Sequence, residues 1–452
     1  MKRKKILIFI EIDVVLRHFI ANETFKELEN SHNVIYVFNK DRYGLLENKI
    51  VKDNIPSTKI LTTDIKRERQ GRWFLLYIIA LLRQQGKGKH YKARVRNEIK
   101  RIGKRNFILA KLGGLPFIYN LIRRIFILKL GIHRDVEKII LREKPDLILH
   151  PSLLNGYFIN ELFRIRSKYK IPLIILMNSW DNPAGRAFCT GSPDKLVVWG
   201  EQTKRHAKKY MLLKEHQIEC FGAAQFEVYK IPPTQSRDEL GKYFNVDAEN
   251  KILLYAGAGG AKYETVYLQL LEKFIDEGLM PNCKVIYRPH PWRGKLAKGE
   301  KDFFSINWKH IVMDPTMKDF YNSTIRDSDG RMNLADYRIS NKLLTLADAV
   351  ISPLSTMLIE SLIKGKPVLA FFPNKDQDSW LSIDEIHFSE FLNLKEVNTC
   401  FKEKDFYMSC KNLFNQIGNK AISSKLKNHS EFFVTKKSKS YGIQLKHLVD
   451  KL

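Results

Sequence analysis

Residues 347–373, ADAVISPLSTMLIESLIKGKPVLAFFP, read as strand, tight turn, helix and strand. Ala349 to Ser352 is a short apolar run. Ser355 and Thr356 stand where a helix begins, and Gly365 and Pro367 end that helix before a second apolar run, Val368 to Phe372. A βαβ unit of this kind belongs to an open parallel sheet, where ligands gather beyond the carboxyl ends of the strands. Two hydroxyls at that place suit a phosphate or diphosphate, and Glu360, one turn further in, suits the vicinal hydroxyls of a ribose. The same residues also make an ordinary helix cap with a solvated carboxylate.

Upstream, residues 284–294 read KVIYRPHPWRG. Lys284 to Tyr287 forms a buried strand, and Pro289 and Pro291 impose a stiff, extended exit from it. His290 stands between the two prolines, with Arg288 and Arg293 nearby. A lone histidine is commonly structural. One held between prolines and arginines at a strand end is placed to contact an anion.

The pattern R-x-H-P after a strand, followed by S-x-x-S-T-x-x-x-E-x-x-x-x-G-x-P-V, resembles the carboxy-terminal half of a GT-B glycosyltransferase. It is similar to the group containing bacterial capsule and cell-wall polymer transferases, the CDP-glycerol glycerophosphotransferases among them, and more distantly to the UDP-N-acetylglucosamine 2-epimerases. The resemblance implies that His290, Ser355, Thr356 and Glu360 hold the nucleoside diphosphate of a donor. It departs from the epimerases at Ser355 and Thr356, where those enzymes typically carry a glycine pair.

A chain of 452 residues is long enough for two cores, and 44% hydrophobic with 28% charged residues describes a globular protein. The formal net charge of +28 favours an anionic partner: nucleic acid, an anionic lipid surface or a nucleotide sugar. No RNP-like strand, zinc finger or basic zipper is present, so nucleic acid is not expected. Five cysteines without C-x-x-C spacing predict free thiols in a reducing cytosol and no zinc site. Glu11 and Asp13 interrupt the first apolar run, so it reads as a strand rather than a signal peptide. These features place the chain in the cytoplasm, with the inner face of the membrane as an adjunct.

Taken in order, Lys5 to Ile12, Phe19 to Ser31 and Asn33 to Phe38 give strand, helix, strand, the opening of a doubly wound domain. The first loop holds Glu11, Asp13, Arg17 and His18 without a G-x-G-x-x-G fingerprint. Residues 65–135 form a basic amphipathic insertion; 65–105 alone carry fourteen Lys or Arg against two Glu around the apolar segment Trp73 to Leu82. Trp73 and Tyr77 on a helix with cationic flanks predict contact with an anionic membrane surface, or else an ordinary surface helix packed on the domain.

The doubly wound pattern resumes with strands ending at His150 and near Asp181, separated by a helix from Asn155 to Lys168. A further strand, a helix from Glu201 to Met211 and a last strand from His216 to Gly222 complete it. Asp181, His150, His18 and Asp13 are the candidates for a catalytic base, with capping or solvated roles as the plain alternatives. After a linker at 231–237, a strand from Asn250 to Ala256 runs into Gly257, Gly259 and Gly260, whose missing side chains let a backbone approach a phosphate. Residues 302–339 read as one strand around Ile311 plus a variable loop, and Ser389 to Asn415 and Ala421 onward as helix.

The expected fold is therefore α/β, a GT-B architecture of two Rossmann-like doubly wound domains facing across a cleft. Residues 1–230 would take the acceptor side, 238–415 the donor side and 416–452 a helical tail that crosses back. The resemblance implies transfer of a sugar from a nucleotide-sugar donor to a glycan or lipid-linked glycan acceptor, without a cofactor. Arg288, His290, Ser355, Thr356, Glu360 and the Gly257 loop would hold the donor. No D-x-D motif stands at a strand end, so transfer without a metal is expected. Polyol-phosphate transfer from CDP-glycerol and epimerisation of a sugar nucleotide are the alternative activities.

Overall fold

The computed structural model describes residues 3–40, 44–84, 102–154, 156–186, 190–259, 263–291, 296–327, 336–372 and 386–452. Gly260 and Arg293 fall outside this set. The chain divides into two compact units, Met1–Glu227 with Phe432–Leu452, and Val228–Glu431.

In the first unit seven parallel strands lie in the order β3-β2-β1-β4-β5-β6-β7: β1 (Lys5–Ile10), β2 (Asn33–Asn39), β3 (Ile60–Thr63), β4 (Leu147–His150), β5 (Leu173–Leu176), β6 (Lys195–Val198) and β7 (Ile218–Cys220). The sequence reading did not mark β3. The second unit repeats the plan with six parallel strands in the order β10-β9-β8-β11-β12-β13. These are β8 (Lys251–Ala256), β9 (Cys283–Arg288), β10 (Ile311–Met313), β11 (Ala349–Pro353), β12 (Val368–Phe371) and β13 (Asn398–Cys400). Counted within each unit, both sheets begin 3-2-1-4-5-6, the doubly wound Rossmann order, so the direction of winding reverses between β1 and β4 and again between β8 and β11. Strands covered on both faces must be apolar throughout. Accordingly Ile6 to Ile10, Leu147 to Leu149, Leu173 to Leu176 and Ile252 to Tyr255 are all essentially inaccessible to water.

Several expectations are corrected. The continuous helix over Phe19–Ser31 is instead a wide turn at Leu16–Ile20 followed by helix α1 (Lys26–Ser31). The break is local: Asn22 caps the carbonyls of Arg17 and His18, and Glu23 takes a left-handed backbone with φ +50°. The helix over Asn155–Lys168 begins later, at Ile159, and Asn155 lies outside the described residues. The strand before Asp181 stops at Leu176. The loop over 302–339 contains a helix, Lys318–Asp327, and the helical span Ser389–Asn415 is interrupted by edge strand β13, where Cys400 is buried against the sheet.

Among the described residues the insertion holds the helices α2 (Arg67–Gln84), α3 (Lys104–Gly113) and α4 (Pro116–Leu130). Trp73 and Tyr77 do not face outward as expected: they are buried with Leu76, Phe107 and Tyr119 in a core of their own. A carboxylate on the helix Ile159–Tyr169 lies beside this core. Fully buried Glu161 takes two bonds from Arg69, at 2.6 and 3.0 Å, and one from the His133 N–H at 2.8 Å, while the Trp73 indole N–H approaches it at 3.4 Å. A buried carboxylate must be satisfied in this way.

The final helix, α5 (Tyr441–Lys451), belongs to the first unit. Tyr441 packs edge-on to Phe19 and Phe221, and Asp450 meets His32 at 3.1 Å.

Candidate functional site

In the second unit three strand ends are tied together where the winding reverses. The Gly257 N–H donates to the Arg288 carbonyl at 2.8 Å, fastening the exit of β8 to the exit of β9. The Ser352 hydroxyl, on β11, lies 2.8 Å from each of the Ala256 carbonyl, the Pro353 carbonyl and the Ser355 hydroxyl. A hydroxyl has one proton to give, so Ser352 donates to one of these at a time and accepts from Ser355 whenever a carbonyl takes that proton. Ser352 is thus the pin of this junction, and it stood in the motif without being singled out.

The glycines after β8 are required by protein groups. A methyl group on Gly257 would lie 2.7 Å from both carboxylate oxygens of Glu264, and one on Gly259 would lie 2.9 Å from Cε1 of His290. Glu264 is fully buried. It accepts from the Ala258 N–H at 2.9 Å and from the Tyr287 hydroxyl at 2.7 Å, and so holds the glycine loop against β9. Glu300, also buried, reaches the N–H groups of Tyr263 and Thr265 at 3.0 and 3.2 Å at the start of the helix Glu264–Asp276. Its carboxylate thereby occupies the positive end of that helix. Neither glutamate was marked in the sequence. A carboxylate six residues after a glycine loop carries no local signal of what it will grip.

His290 is half-buried, its ring against Gly259. Arg288 is buried and paired with fully buried Asp314 at 2.7 Å; Asp314 also accepts from the N–H and hydroxyl of Thr316 at 3.0 and 2.7 Å. Glu360 lies in the short helix Met357–Ile363, buried, and accepts a hydrogen bond from the Tyr229 hydroxyl. It is not the solvated carboxylate of the plain reading. Burial, and then the adjacent Glu360 charge, push the Tyr229 phenol well above its ordinary pKa, so it stays a donor. Ser355 and Thr356 are half-buried in the turn between β11 and this helix.

In the first unit, the reversal of winding falls between β1 and β4. His150, at the end of β4, is fully buried. Its Nδ1 lies 2.9 Å from the Phe9 carbonyl, and its Nε2 faces Glu11 at 3.2 Å. A carbonyl can only accept, so Nδ1 carries the proton of that bond. Glu11 also accepts from the Phe158 N–H at 3.0 Å. His18 is buried in the turn after β1. Desolvation holds its pKa well below the usual histidine value, with Arg17 adding to this and a bond to the Asn178 backbone opposing it. Asp13 begins that turn and accepts from the Val14 N–H at 2.8 Å, while Asp181 accepts from the Asn182 side chain at 3.1 Å. Asp13 and Asp181 are half-buried. Among the described residues no three His, Cys, Asp or Glu side chains cluster as a metal-ligand set.

Comparison with models of known protein families and with curated protein sequences finds no match. Solved structures do match along the whole chain. They include Arabidopsis thaliana UGT89C1 complexed with UDP, at 12% identity and TM-score 0.54, covering 99% of each chain. The UDP-GlcNAc 2-epimerase from Methanocaldococcus jannaschii matches at 13% identity and TM-score 0.52, again over 99% of each chain. The S. aureus MnaA–UDP co-structure matches at 12% identity and TM-score 0.51, over 99% of this chain and 98% of that one.

The chain has a GT-B-type fold. With the fold in hand, the two reversals of strand order fall where the sequence motifs lie: Gly257 to Gly259, His290 and Ser355 at one, His150 at the other.

Proposed function

We propose that this chain acts on a nucleotide sugar, binding the nucleoside diphosphate at the junction of β8, β9 and β11 and transferring the sugar to a hydroxyl of a surface glycan. The observation that carries the reading is the pinning of the Gly257–Gly259, Arg288–His290 and Ser352–Thr356 segments to one another at the reversal of strand order. That is the position at which open parallel sheets take ligands. UDP accompanies two of the matched structures, which supports a nucleoside diphosphate as the ligand.

In this reading His290 and the Ser355 and Thr356 hydroxyls hydrogen-bond the diphosphate, where negative charge grows as the sugar departs. The Gly257 loop, with Gly259, borders it. Glu360, oriented by Tyr229, takes the ribose hydroxyls, and Arg288 acts from its pair with Asp314. Asp181 and Asp13, the half-buried carboxylates, are the first candidates to deprotonate the acceptor, ahead of the buried His18 and His150.

The test has two stages. Thermal-shift titration of the whole chain with UDP, CDP, CMP, UDP-sugars and CDP-glycerol identifies the leaving group, and His290→Ala removes the shift. Incubation with the stabilising donor then separates the chemistries. Acceptor-dependent nucleotide release supports transfer, whereas a C2 epimer formed from the donor alone, seen by proton NMR, establishes epimerisation instead. Absence of any nucleotide-dependent shift overturns the proposal.

A further inference from the structure

Helix α4 is apolar on two opposite faces. One, with Tyr119, Ile122 and Phe126, packs on the core formed with α2 and α3, where Gly113 brings α3 close to Ile122 and Ile79. The other holds Phe117, Leu121, Ile125 and Leu128, which recur at i, i+4, i+8 and i+11 and so lie within about 80° of the helix circumference. Phe117 is 82% exposed, Leu128 80%, Leu121 52% and Ile125 47%. Arg124 and Lys129 flank this stripe on its two sides. On α3, Ile108, Leu109 and Leu112 are likewise more than half exposed, beside Arg105 and Lys111. A helix apolar all round is ordinarily buried all round; here one whole face is left in water.

We propose that the exposed faces of α3 and α4 dock on an anionic lipid bilayer, with Phe117, Leu121, Ile125 and Leu128 entering the headgroup–acyl boundary and the flanking cations meeting lipid phosphates. Charge selects this occupant. Residues 102–134 contain seven Lys or Arg and no Asp or Glu, in a chain of net charge +28. A second copy of the chain would bring the same cations to the same face, and like charges oppose that pairing. An apolar stripe edged by cations is the pattern of helices that lie in the plane of a membrane. No helix among the described residues is long and apolar enough to cross one, so the contact is with the surface. This inference does not depend on the nucleotide reading, and its test uses no nucleotide.

The experiment is co-sedimentation of the whole chain with vesicles of phosphatidylcholine, with or without phosphatidylglycerol. The chain is expected to pellet with the phosphatidylglycerol vesicles alone, less so as salt is raised. The double variant F117S/L128S should bind at least about tenfold more weakly, from the lost apolar insertion, and keep the wild-type melting temperature because both side chains are exposed. The variant R124E/K129E should lose at least about 25-fold, roughly fivefold for each cation removed. Three outcomes overturn the proposal. The wild-type chain could stay in the supernatant at low salt, or F117S/L128S could pellet like wild type. Size-exclusion light scattering could instead show a dimer that F117S/L128S dissociates, without vesicle binding.

Discussion

Gly259→Ala tests the proposed diphosphate site with little disturbance of the fold. Its added methyl carbon would stand 2.9 Å from Cε1, 3.0 Å from Nδ1 and 3.4 Å from Nε2 of His290. Ordinary contact begins near 3.4–4 Å, so the ring must retreat by several tenths of an ångström. Gly259 is not among the glycines with positive φ, so alanine is tolerated by the backbone itself. The atoms met belong to the ring of a half-buried side chain and not to backbone, which keeps the stability cost to about 1 kcal/mol. A hydrogen bond to a charged group is worth about 1.5–3 kcal/mol. Displacing the imidazole from a diphosphate should therefore weaken UDP or CDP binding about 10- to 150-fold. Isothermal titration calorimetry of wild type, Gly259→Ala and His290→Ala, alongside urea unfolding, reads both quantities. If Gly259→Ala binds nucleotide as wild type does, or loses binding only in step with stability, His290 is not a diphosphate ligand and the reasoning fails.

Gly257→Ala should behave in the opposite way. Its methyl group would strike the buried Glu264 carboxylate at 2.7 Å and break bonds to Ala258 and Tyr287, so urea unfolding should register a loss of about 1–3 kcal/mol before any ligand is added. Tyr229→Phe removes the donor to buried Glu360 and should cost a similar amount, whereas a neutral effect would mean that Glu360 is satisfied without it. His18 supplies a pH dependence. Its folded pKa lies below the unfolded value near 6.5, so the unfolded chain binds the extra proton and stability falls as pH drops. The contribution is intact above about pH 6.5 and declines below it at up to about 1.4 kcal/mol per pH unit. Melting temperatures at descending pH should show a shallower decline in His18→Gln than in wild type.

Apolar runs bounded by glycine and proline are a local property of the chain, and together with its length and the motif resemblance they implied two doubly wound domains. The stretch 347–373 announced a parallel βαβ unit because both of its strands are continuous apolar runs, and the turn chemistry between them, Ser355 to Gly365, is written in neighbouring residues. The placement of His290 at a strand exit was legible for the same reason. Edge strands β3 (ILTT) and β13 (NTC) were not, because polar residues make up half or more of each; edge strand β10 (IVM), just as short, is apolar and was read.

Partners across the fold were beyond the reach of any local pattern. Tyr229 and Glu360 are 131 residues apart, Arg288 and Asp314 26, and Arg69 and Glu161 92. A buried carboxylate requires a donor, but which donor reaches it depends on strand order and helix packing. Trp73 illustrates the same division. Its place in a basic amphipathic helix could be read from residues 65–84, yet the core that face meets is made with Phe107 of α3 and Tyr119 of α4, which only the tertiary structure brings to it.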